Sequence, residues 1–493
     1  MFSYENLCVQ DLDYAHIIDF SSCEKMNEHG YATVTIEIDE GKQDEMEVWN
    51  EWVPVTVFDK VSGHKLFAGV LLEAEGFWRN TSYVIEMRLG SGTCLLDREK
   101  RFYSYQNKQK YRSLLDQVLG QEAKVSFRVE DKEVPGLLVQ YEESDWEFVK
   151  RLGSHFGSCV VPEIHIDNGP RFYFGWESGE DYGEIEPFDY CEKVEERFYH
   201  AKAFDKDTKK RDHLRYQIES GEDYKIGGQV TYRGSTWYIE EKTTYLADGV
   251  IKYKYSLASK KSLQWQAAEN LKLHGKEIAG TVTGRKGEQL QVDLDMDKGE
   301  KKSQRPSYPW MPETGNLLYC MPEIGERVRL YFCNNHEDSA ICINCARENK
   351  FPSKWVRKPG RKRFIVRKKR KLLLLKKKME FRSLNNRFSL KDKGGISMTT
   401  DGGLQIQAGK EVYLEAPYLS VKADREITLV KEDLLTPTMI VLNGDLNAKG
   451  GDLITEEKIW YGDPKIPEKV FDKGKDIEET MDHQEILGVI ARR

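Results

Sequence analysis

The feature that most constrains this sequence is a short repeat between Ile396 and Leu429. Five segments alternate apolar and polar residues, and their first apolar residues lie 8, 8, 7 and 8 positions apart. This alternation has the two-residue period of a β-strand with one buried face. The segments are Ile396–Met398, Leu404–Ala408, Val412–Ala416, Leu419–Ala423 and Ile427–Leu429.

Turn residues such as Asp401-Gly402-Gly403 separate the segments, which predicts a series of strands and turns. Strands this short bury little apolar surface alone, so stacked repeats must supply the missing core. Because the repeat leaves one chain little room to close an interior, it favours several identical chains wound into one β-prism. The alternative is a β-meander on an ordinary globular domain.

Length and composition indicate several folded domains. The chain has 493 residues with 39% hydrophobic and 11% aromatic content, which suffices for folded cores. No signal peptide follows Met1, and the aliphatic run Leu372–Leu375 is too short to span a bilayer. Nine cysteines without framework spacing suit a reducing compartment. We therefore expect a cytoplasmic protein, for which any extracellular role requires a separate export route.

The charge distribution is strongly asymmetric. Net charge is −7, yet residues Lys354 to Lys378 contain 14 Lys or Arg and no acid. The rest of the chain has 61 basic against 82 acidic residues. Most of the molecule is therefore poorly suited to a nucleic-acid backbone, and no specific nucleic acid is expected as a partner.

Residues 1 to about 265 are predicted to be mainly β, with two helices. One helix covers Tyr111–Leu119 and ends at Gly120. The other starts at Ser144, has the capping-box residue Glu147, and is closed by Gly157. Its apolar stripe predicts core packing that seals a barrel end, without chemistry. The clearest predicted strands are Val34–Ile38, Val53–Val57, Tyr83–Met87, Trp237–Ile239 and Tyr253–Leu257.

A compact β-domain is predicted from about Lys276 to Arg347. Apolar residues alternate at Leu290–Met296 and at Val328–Phe332, and Ile341 and Ile343 form the return strand of a hairpin. Five short strands in some 70 residues suit a small closed barrel such as an OB-fold. The tail beyond residue 449 is charged and less regular, with a short helix predicted near Ile477–Leu487.

Three stretches together resemble one protein family. Val139–Leu152 resembles the barrel-sealing helix of phage late-control and VgrG-type hub proteins. Tyr319–Phe332, with its Met-Pro-Glu-Ile-Gly turn, resembles the OB-fold signature of phage baseplate spike proteins. The short repeat stands where that family carries its needle. The chain thus resembles a VgrG-type central spike of a contractile injection system over residues 1 to 448.

The resemblance implies a domain order and a set of partners. The order is a two-barrel hub at 1–265, an OB-fold collar at 276–350, a basic linker or needle base at 351–385, a trimeric β-helix needle at 386–448, and a tail at 449–493. The implied assembly is a homotrimer that caps an inner tube of Hcp-like protein within a baseplate. It would puncture the target cell envelope and carry a PAAR-type tip protein or an effector on its tail.

Enzymatic motifs were not found in the sequence. Gly-x-Ser-x-Gly, phosphate-loop and His-Glu-x-x-His patterns do not occur. About 40 residues separate the collar from the repeat, too few for the lysozyme domain that some phage relatives insert there. Acid pairs such as Glu142-Glu143 and Glu240-Glu241 have no assigned role. We expect no catalytic residue and no cofactor.

A possible metal site combines Cys333, His336, Cys342 and Cys345, whose ligand types suit zinc. Cys342 and Cys345 are three residues apart, however, and would point to opposite faces of a regular strand. The favoured interpretation is therefore buried or half-buried thiols without metal. Some needles of the family bind iron through a His-x-His pair at the tip. His483 stands alone here, so no tip metal is expected.

The sequence leaves open two interpretations of the whole chain and three of the basic stretch. The alternative to a spike is a trimeric phage tailspike that binds or degrades surface polysaccharide, although such proteins usually have repeats of about 20 residues or more. The stretch Lys354–Lys378 could contact nucleic acid or an anionic membrane, could be a solvated linker, or could reflect a local reading-frame error. It departs from the family until Met379–Phe381 resumes the alternating pattern.

Overall fold

The chain divides into two units, Met1–Phe351 and Pro352–Arg493. A computed structural model describes residues 4–38, 52–80, 82–106, 108–166, 169–176, 179–205, 207–298, 305–313, 320–344, 361–366, 370–425, 427–431 and 438–442. The fold is mainly β, as predicted. Within the described residues, none of the helices has the length and apolar character needed to cross a membrane.

The first part of unit 1 contains seventeen described strands and three described α-helices. The strands are β1 (Leu7–Val9), β2 (His16–Lys25), β3 (Tyr31–Ile38), β4 (Pro54–Asp59), β5 (Lys65–Arg79), β6 (Ser82–Ser91), β7 (Arg101–Tyr105), β8 (Lys124–Phe127), β9 (Leu138–Glu143), β10 (Val160–Pro162), β11 (Arg171–Phe174), β12 (Asp181–Glu184), β13 (Asp189–Val194), β14 (Leu214–Ser220), β15 (Gln229–Tyr232), β16 (Ser235–Ala247) and β17 (Val250–Ala258). The helices are α1 (Tyr111–Leu119), α2 (Asp145–Ser154) and α3 (Glu196–Phe204).

One twelve-stranded sheet organises this part of the unit, which we call the hub. Its main path runs β1-β4-β5-β6-β3-β2-β16-β17-β14-β13, and β15 joins β12 to β16. Strand β16 connects the two halves because it pairs with β2 on one side and β17 on the other. Residues alternate between buried and partly exposed along β3, so one row of side chains fills the core. The five predicted strands are confirmed, while the division into two barrels stays a prediction.

Helices α1 and α2 pack against the short sheet β10-β11-β8 and the pair β7-β9. Both predicted helices are confirmed, with Gly120 at a positive φ after α1. The capping box is present because the Ser144 hydroxyl accepts from the Glu147 N–H, and the Glu147 carboxylate accepts from the Ser144 N–H. Helix α2 ends at Ser154, before Gly157.

The rest of unit 1 forms a small barrel, which we call the collar. Its strands are β18 (Glu277–Lys286), β19 (Gln289–Leu294), β20 (Tyr308–Pro309), β21 (Arg327–Phe332) and β22 (Ala340–Ile343), in the order β20-β19-β18-β21-β22. A parallel bridge between Trp310 and Cys342 brings the two outer strands together. The predicted small barrel is therefore present, although its assignment as an OB-fold stays a prediction.

Unit 2 contains a five-stranded antiparallel sheet and a hairpin. The sheet is formed by β23 (Lys362–Val366), β24 (Arg370–Leu375), β25 (Lys378–Ser383), β26 (Asn386–Lys391) and β27 (Gly395–Thr399), in chain order. Strands β28 (Ile427–Lys431) and β29 (Thr438–Leu442) pair with each other. The solvated-linker interpretation of the basic stretch is wrong for its described residues, because 362–366 and 370–375 are strands.

Several predicted features lie outside the described residues. They are the tail 449–493 with its helix near Ile477–Leu487, His483, Cys345, and residues 354–360 and 367–369 of the basic stretch.

Candidate functional site: a two-faced sheet and the hub–collar junction

The sheet of unit 2 is a meander whose short turns fix its register. Lys376 and Lys377 alone connect β24 to β25, and Leu384 and Asn385 alone connect β25 to β26. Leu384 has a positive φ of 55° in that turn, where a two-residue loop commonly needs the left-handed region. Because side chains alternate along each strand, a fixed register assigns every residue to one of two faces.

One face is mainly apolar, although Lys362 and Arg370 share it on β23 and β24. Leu372 is opposite Phe381, Phe381 is opposite Phe388, and Phe388 is opposite Met398. In the single chain this face is half-buried or exposed, with Phe381 exposed by 43% and Ile396 by 65%. We call it the apolar face, and its apolar residues include Phe364, Leu372, Leu374, Met379, Phe381, Phe388, Leu390, Ile396 and Met398.

The opposite face is basic and centres on one buried acid. Glu380 is fully buried, and it accepts hydrogen bonds from Arg382 Nε at 2.7 Å and Arg387 Nη2 at 2.9 Å. Lys378 Nζ lies 2.6 Å from its carboxylate. The cross-strand neighbour Ser389 is also buried and bonds to Ser397 Oγ at 2.8 Å. We call this the basic face, and its charged residues are Arg363, Lys371, Lys378, Glu380, Arg382, Arg387 and Lys391.

Two of these cations lower the pKa of Glu380. Burial alone would raise its pKa, but hydrogen bonds from Lys378 and Arg382 outweigh burial and lower the pKa to about 2. The carboxylate is therefore ionised at neutral pH, and it anchors the side chains that cover it.

The repeat that follows the sheet is largely open to solvent. Ile396–Met398 lies within β27 and Ile427–Leu429 within β28, so these two predicted strands are confirmed. Between residues 400 and 425 the described chain forms no strand. The expected strands at 404–408, 412–416 and 419–423 are thus wrong for a single chain. The reason is that nothing in the described chain pairs with them or covers them.

The apolar side chains of this segment are strongly exposed. The exposed fraction is 60% for Leu404, 69% for Ile406, 71% for Leu414, 69% for Leu419 and 64% for Val421. A monomeric protein rarely leaves so many regularly spaced apolar side chains in water. Together with the apolar face, the segment forms a candidate assembly surface.

A second candidate site joins the hub to the collar in unit 1. Arg151 on α2 is 4% exposed, and its Nε and Nη2 donate to the two oxygens of Glu143 at 2.9 and 2.8 Å. Its Nη1 donates to Glu337 of the collar at 2.7 Å, and Nη2 also donates to the Val139 carbonyl at 2.8 Å. Helix α2 therefore carries a buried ionic link, which its apolar stripe did not reveal.

Other contacts strengthen the same junction. Asp297 of the collar accepts from the Ser104 N–H at 2.7 Å and from the Ser104 hydroxyl at 2.6 Å. Leu137 and Val139 pack into the collar core. Burial raises the pKa of Glu143, whereas Arg151 acts to lower it. The charged form of this carboxylate therefore depends on the guanidinium of Arg151.

The residues singled out for metal binding do not converge. Cys342 is buried in the collar core, whereas Cys333 is exposed, so the expectation that its thiol is at least half-buried is wrong. His336 Nδ1 lies 3.0 Å from a Glu269 oxygen. No cluster of three or more His, Cys, Asp or Glu side chains suited to a metal occurs among the described residues.

Three acids of the two pairs have basic partners. Glu143 binds Arg151, Glu240 binds Arg215 with Oε1 at 3.4 Å from Nη2, and Glu241 lies 3.6 Å from Lys25 Nζ. The Met-Pro-Glu-Ile-Gly turn forms as predicted ahead of β21. Gly325 there has a φ of +90° and donates its N–H to the Val282 carbonyl at 2.7 Å.

No protein-family model matches the sequence, and no curated protein matches it. Among solved structures, the chain is similar to the E. coli c3393 protein, with a TM-score of 0.51 and 15% sequence identity. The match covers 68% of this chain and 98% of that chain. The c3393 protein is described as a component of the type VI secretion system with structural similarity to the T4 bacteriophage tail proteins gp27 and gp5. This chain has that gp27–gp5-like fold. The resemblance drawn from the sequence motifs is thus confirmed at the level of the fold.

Two further solved structures are similar over parts of the chain. One is the half-lidded Francisella PdpA–VgrG complex, with a TM-score of 0.49 and 10% identity over 78% of this chain and 83% of that chain. The other is the 43 kDa tail protein of prophage MuSo2 from Shewanella oneidensis, with a TM-score of 0.42 and 12% identity over 53% of this chain and 98% of that chain. The fold assignment depends on the c3393 match.

Proposed function

We propose that this chain is the central spike of a contractile injection system. In this proposal three copies assemble in the cytoplasm within a baseplate and cap an inner tube of Hcp-like protein. On contraction of the sheath the assembly is driven into the target envelope. The tail beyond residue 449 carries a tip protein or an effector. The role is mechanical, and no catalytic step is assigned to the chain.

The open apolar surface of unit 2 is the observation that carries the proposal. Antiparallel sheets with one apolar and one charged face commonly pack the apolar face on a core and expose the charged face to water. Among the described residues no core covers the apolar face, and in this proposal other chains supply that core. Further copies supply it most simply, because their own apolar faces have the same open residues.

The segment 400–425 supports the same conclusion, because its described backbone forms no strand or helix. Extended strands with unpaired N–H and C=O groups are templates for pairing with another chain. Stacking three such segments around an axis would pair these groups and place alternate apolar residues inside. A closed prism has no free lateral edge, so it resists local unfolding under axial load. This geometry suits a part that transmits force.

The gp27–gp5-like fold supports the rest of the proposal. Hub and collar are linked by buried contacts at Arg151 and Asp297, so load on the collar would pass directly into the hub. The c3393 protein has this fold and is a component of a type VI secretion system. Tube, baseplate and tip proteins are the partners that such a role requires.

The first test is the mass of the purified full-length chain by light scattering. A trimer of 57.2 kDa chains would have a mass of about 172 kDa. A monomer at micromolar concentration would contradict the proposal. The second test is co-sedimentation with an Hcp-like tube protein. Cleavage of surface polysaccharide by the purified chain would instead support the tailspike alternative.

A further inference from the structure

Five lysines gather at one end of the unit 2 sheet. The turn between β24 and β25 lies beside the turn between β26 and β27, and the Asp392 N–H donates to the Lys377 carbonyl at 3.2 Å. The two turns border an open depression with a volume of about 410 Å³. We call these lysines the lysine cluster, and they are Lys376, Lys377, Lys378, Lys391 and Lys393.

The positive charge of this cluster is poorly compensated. Lys376, Lys377, Lys391 and Lys393 are exposed, and none of them has an ion pair within the described residues. Of the nearby acids, Glu380 is already shared by Lys378, Arg382 and Arg387. Among the described residues that line the depression, Asp392 is the carboxylate. The remaining charge is available to an anion.

The surroundings favour a flat, phosphate-bearing surface over a nucleic acid. Single-stranded nucleic acids are usually held by aromatic stacking as well as by cations. The described aromatic rings of this sheet, Phe364, Phe381 and Phe388, all lie on the opposite, apolar face. A long polyanion would also meet the rest of the chain, in which acids outnumber bases. A membrane surface contacts only the turns and the basic face.

We propose that the lysine cluster binds the phosphate headgroups of an anionic phospholipid membrane. Phosphate oxygens would enter the depression, where Lys377 and Lys393 approach from the two turns and Lys391 lies on the basic face. The inference depends on the proposed function, because an injected spike is brought to a target membrane. In a trimer whose apolar faces point inward, three clusters would face outward around the shaft.

The test is sedimentation of the full-length chain with vesicles. Vesicles of equal parts phosphatidylglycerol and phosphatidylcholine are compared with vesicles of phosphatidylcholine alone, at low and at high salt. We expect binding only to the anionic vesicles, and weaker binding at high salt because surface charges are screened. Each exposed lysine replaced by Gln should lower the affinity about fivefold, which corresponds to about 1 kcal/mol for each cation near an anionic surface.

A matched variant separates this site from general charge. The test variant replaces the four exposed lysines of the cluster by Gln, and the control replaces four exposed lysines of unit 1. The control residues are Lys60, Lys110, Lys124 and Lys254. Loss of vesicle binding in the test variant but not in the control supports the inference.

Three results would overturn the inference. They are equal losses in both variants, binding to neutral vesicles, and tighter binding to duplex DNA than to anionic vesicles. Light scattering on the same samples distinguishes the two proposals. A trimer that does not bind anionic vesicles contradicts only the proposed lipid site. A monomer contradicts the proposed function as a spike.

Discussion

The hub–collar junction makes a quantitative prediction for the substitution Arg151→Met. Methionine keeps much of the length and apolar stem of arginine but removes its charge and every donor. Glu143 and Glu337 would then lose their cation while staying largely buried, with side chains exposed by 10% and 11%. The Val139 carbonyl would lose a donor as well.

The expected loss of unfolding free energy is about 3–5 kcal/mol, because removal of one partner leaves uncompensated buried charge. The control is Lys100→Met, which removes the partner of Glu147 in the first turn of α2. Lys100 pairs with Glu147 at 2.6 Å, but the two side chains are exposed by 47% and 39%. Such a surface pair is worth about 1 kcal/mol or less. The two substitutions thus remove the same kind of charge from different environments.

The pH dependence provides a further check on the same variant. Burial already raises the pKa of Glu143, and Arg151 opposes that rise. Without Arg151 the folded-state pKa should rise further above the unfolded value. A carboxyl whose pKa is raised by folding binds its proton more tightly in the folded state, so stability falls as pH increases. Arg151→Met should therefore cost more stability at neutral pH than near the unfolded-state pKa of about 4.3.

The assay is urea unfolding followed by tryptophan fluorescence, since Trp146 is buried on α2 and Trp310 in the collar. A double-mutant cycle with Glu337→Gln should give a coupling energy above about 1 kcal/mol, because contacting groups do not act additively. Equal losses for Arg151→Met and Lys100→Met, or no coupling to Glu337, would refute the reasoning.

Three further predictions concern single sites. Glu380→Gln should cost about 1 kcal/mol at neutral pH, since the surrounding cations are partly exposed. That cost should disappear as the pH falls from about 4.3 toward 2, because a lowered carboxyl pKa stabilises the fold only above that range; a pH-independent cost in acid unfolding would contradict it. Phe381→Ser should reduce the trimer mass in light scattering, whereas Lys391→Gln on the opposite face should leave it unchanged; equal effects would contradict the assignment of faces. Gly325→Ala should lower the melting temperature through about 1–2 kcal/mol of backbone strain at a φ of +90°, whereas Gly136→Ala, which has open space and no positive φ, should not; equal stability would contradict the turn geometry.

Local features of this chain could be predicted well from the sequence. The capping box at Ser144 and Glu147 was recognisable because both partners lie within one helical turn. Strands such as Tyr253–Leu257 were recognisable because their alternation has one period and no interruption. Helix α3 was missed, and its exposed surface explains why, since it has no apolar stripe that could reveal a helical period.

The long-range contacts could not be predicted in this way. Arg151 and Glu337 are 186 residues apart in sequence, and nothing local indicates which acid a buried arginine will meet. Strands β23 and β24 were missed for a different reason. Four consecutive leucines at Leu372–Leu375 hide the two-residue period, and the dense cations around them suggested a linker.

The register of the sheet explains how one basic stretch can serve two surfaces. Leu372 and Leu374 belong to the apolar face, while Lys371 and Leu373 alternate with them and belong to the basic face. A slip of one residue would place Glu380 and its cations among the phenylalanines and would turn the apolar residues to water. The buried ion cluster at Glu380 therefore opposes such a slip, because burying those charges in an apolar core is costly. If the apolar faces meet in a spike, the ion cluster at Glu380 keeps the lysine cluster on the outside, where an envelope would contact it.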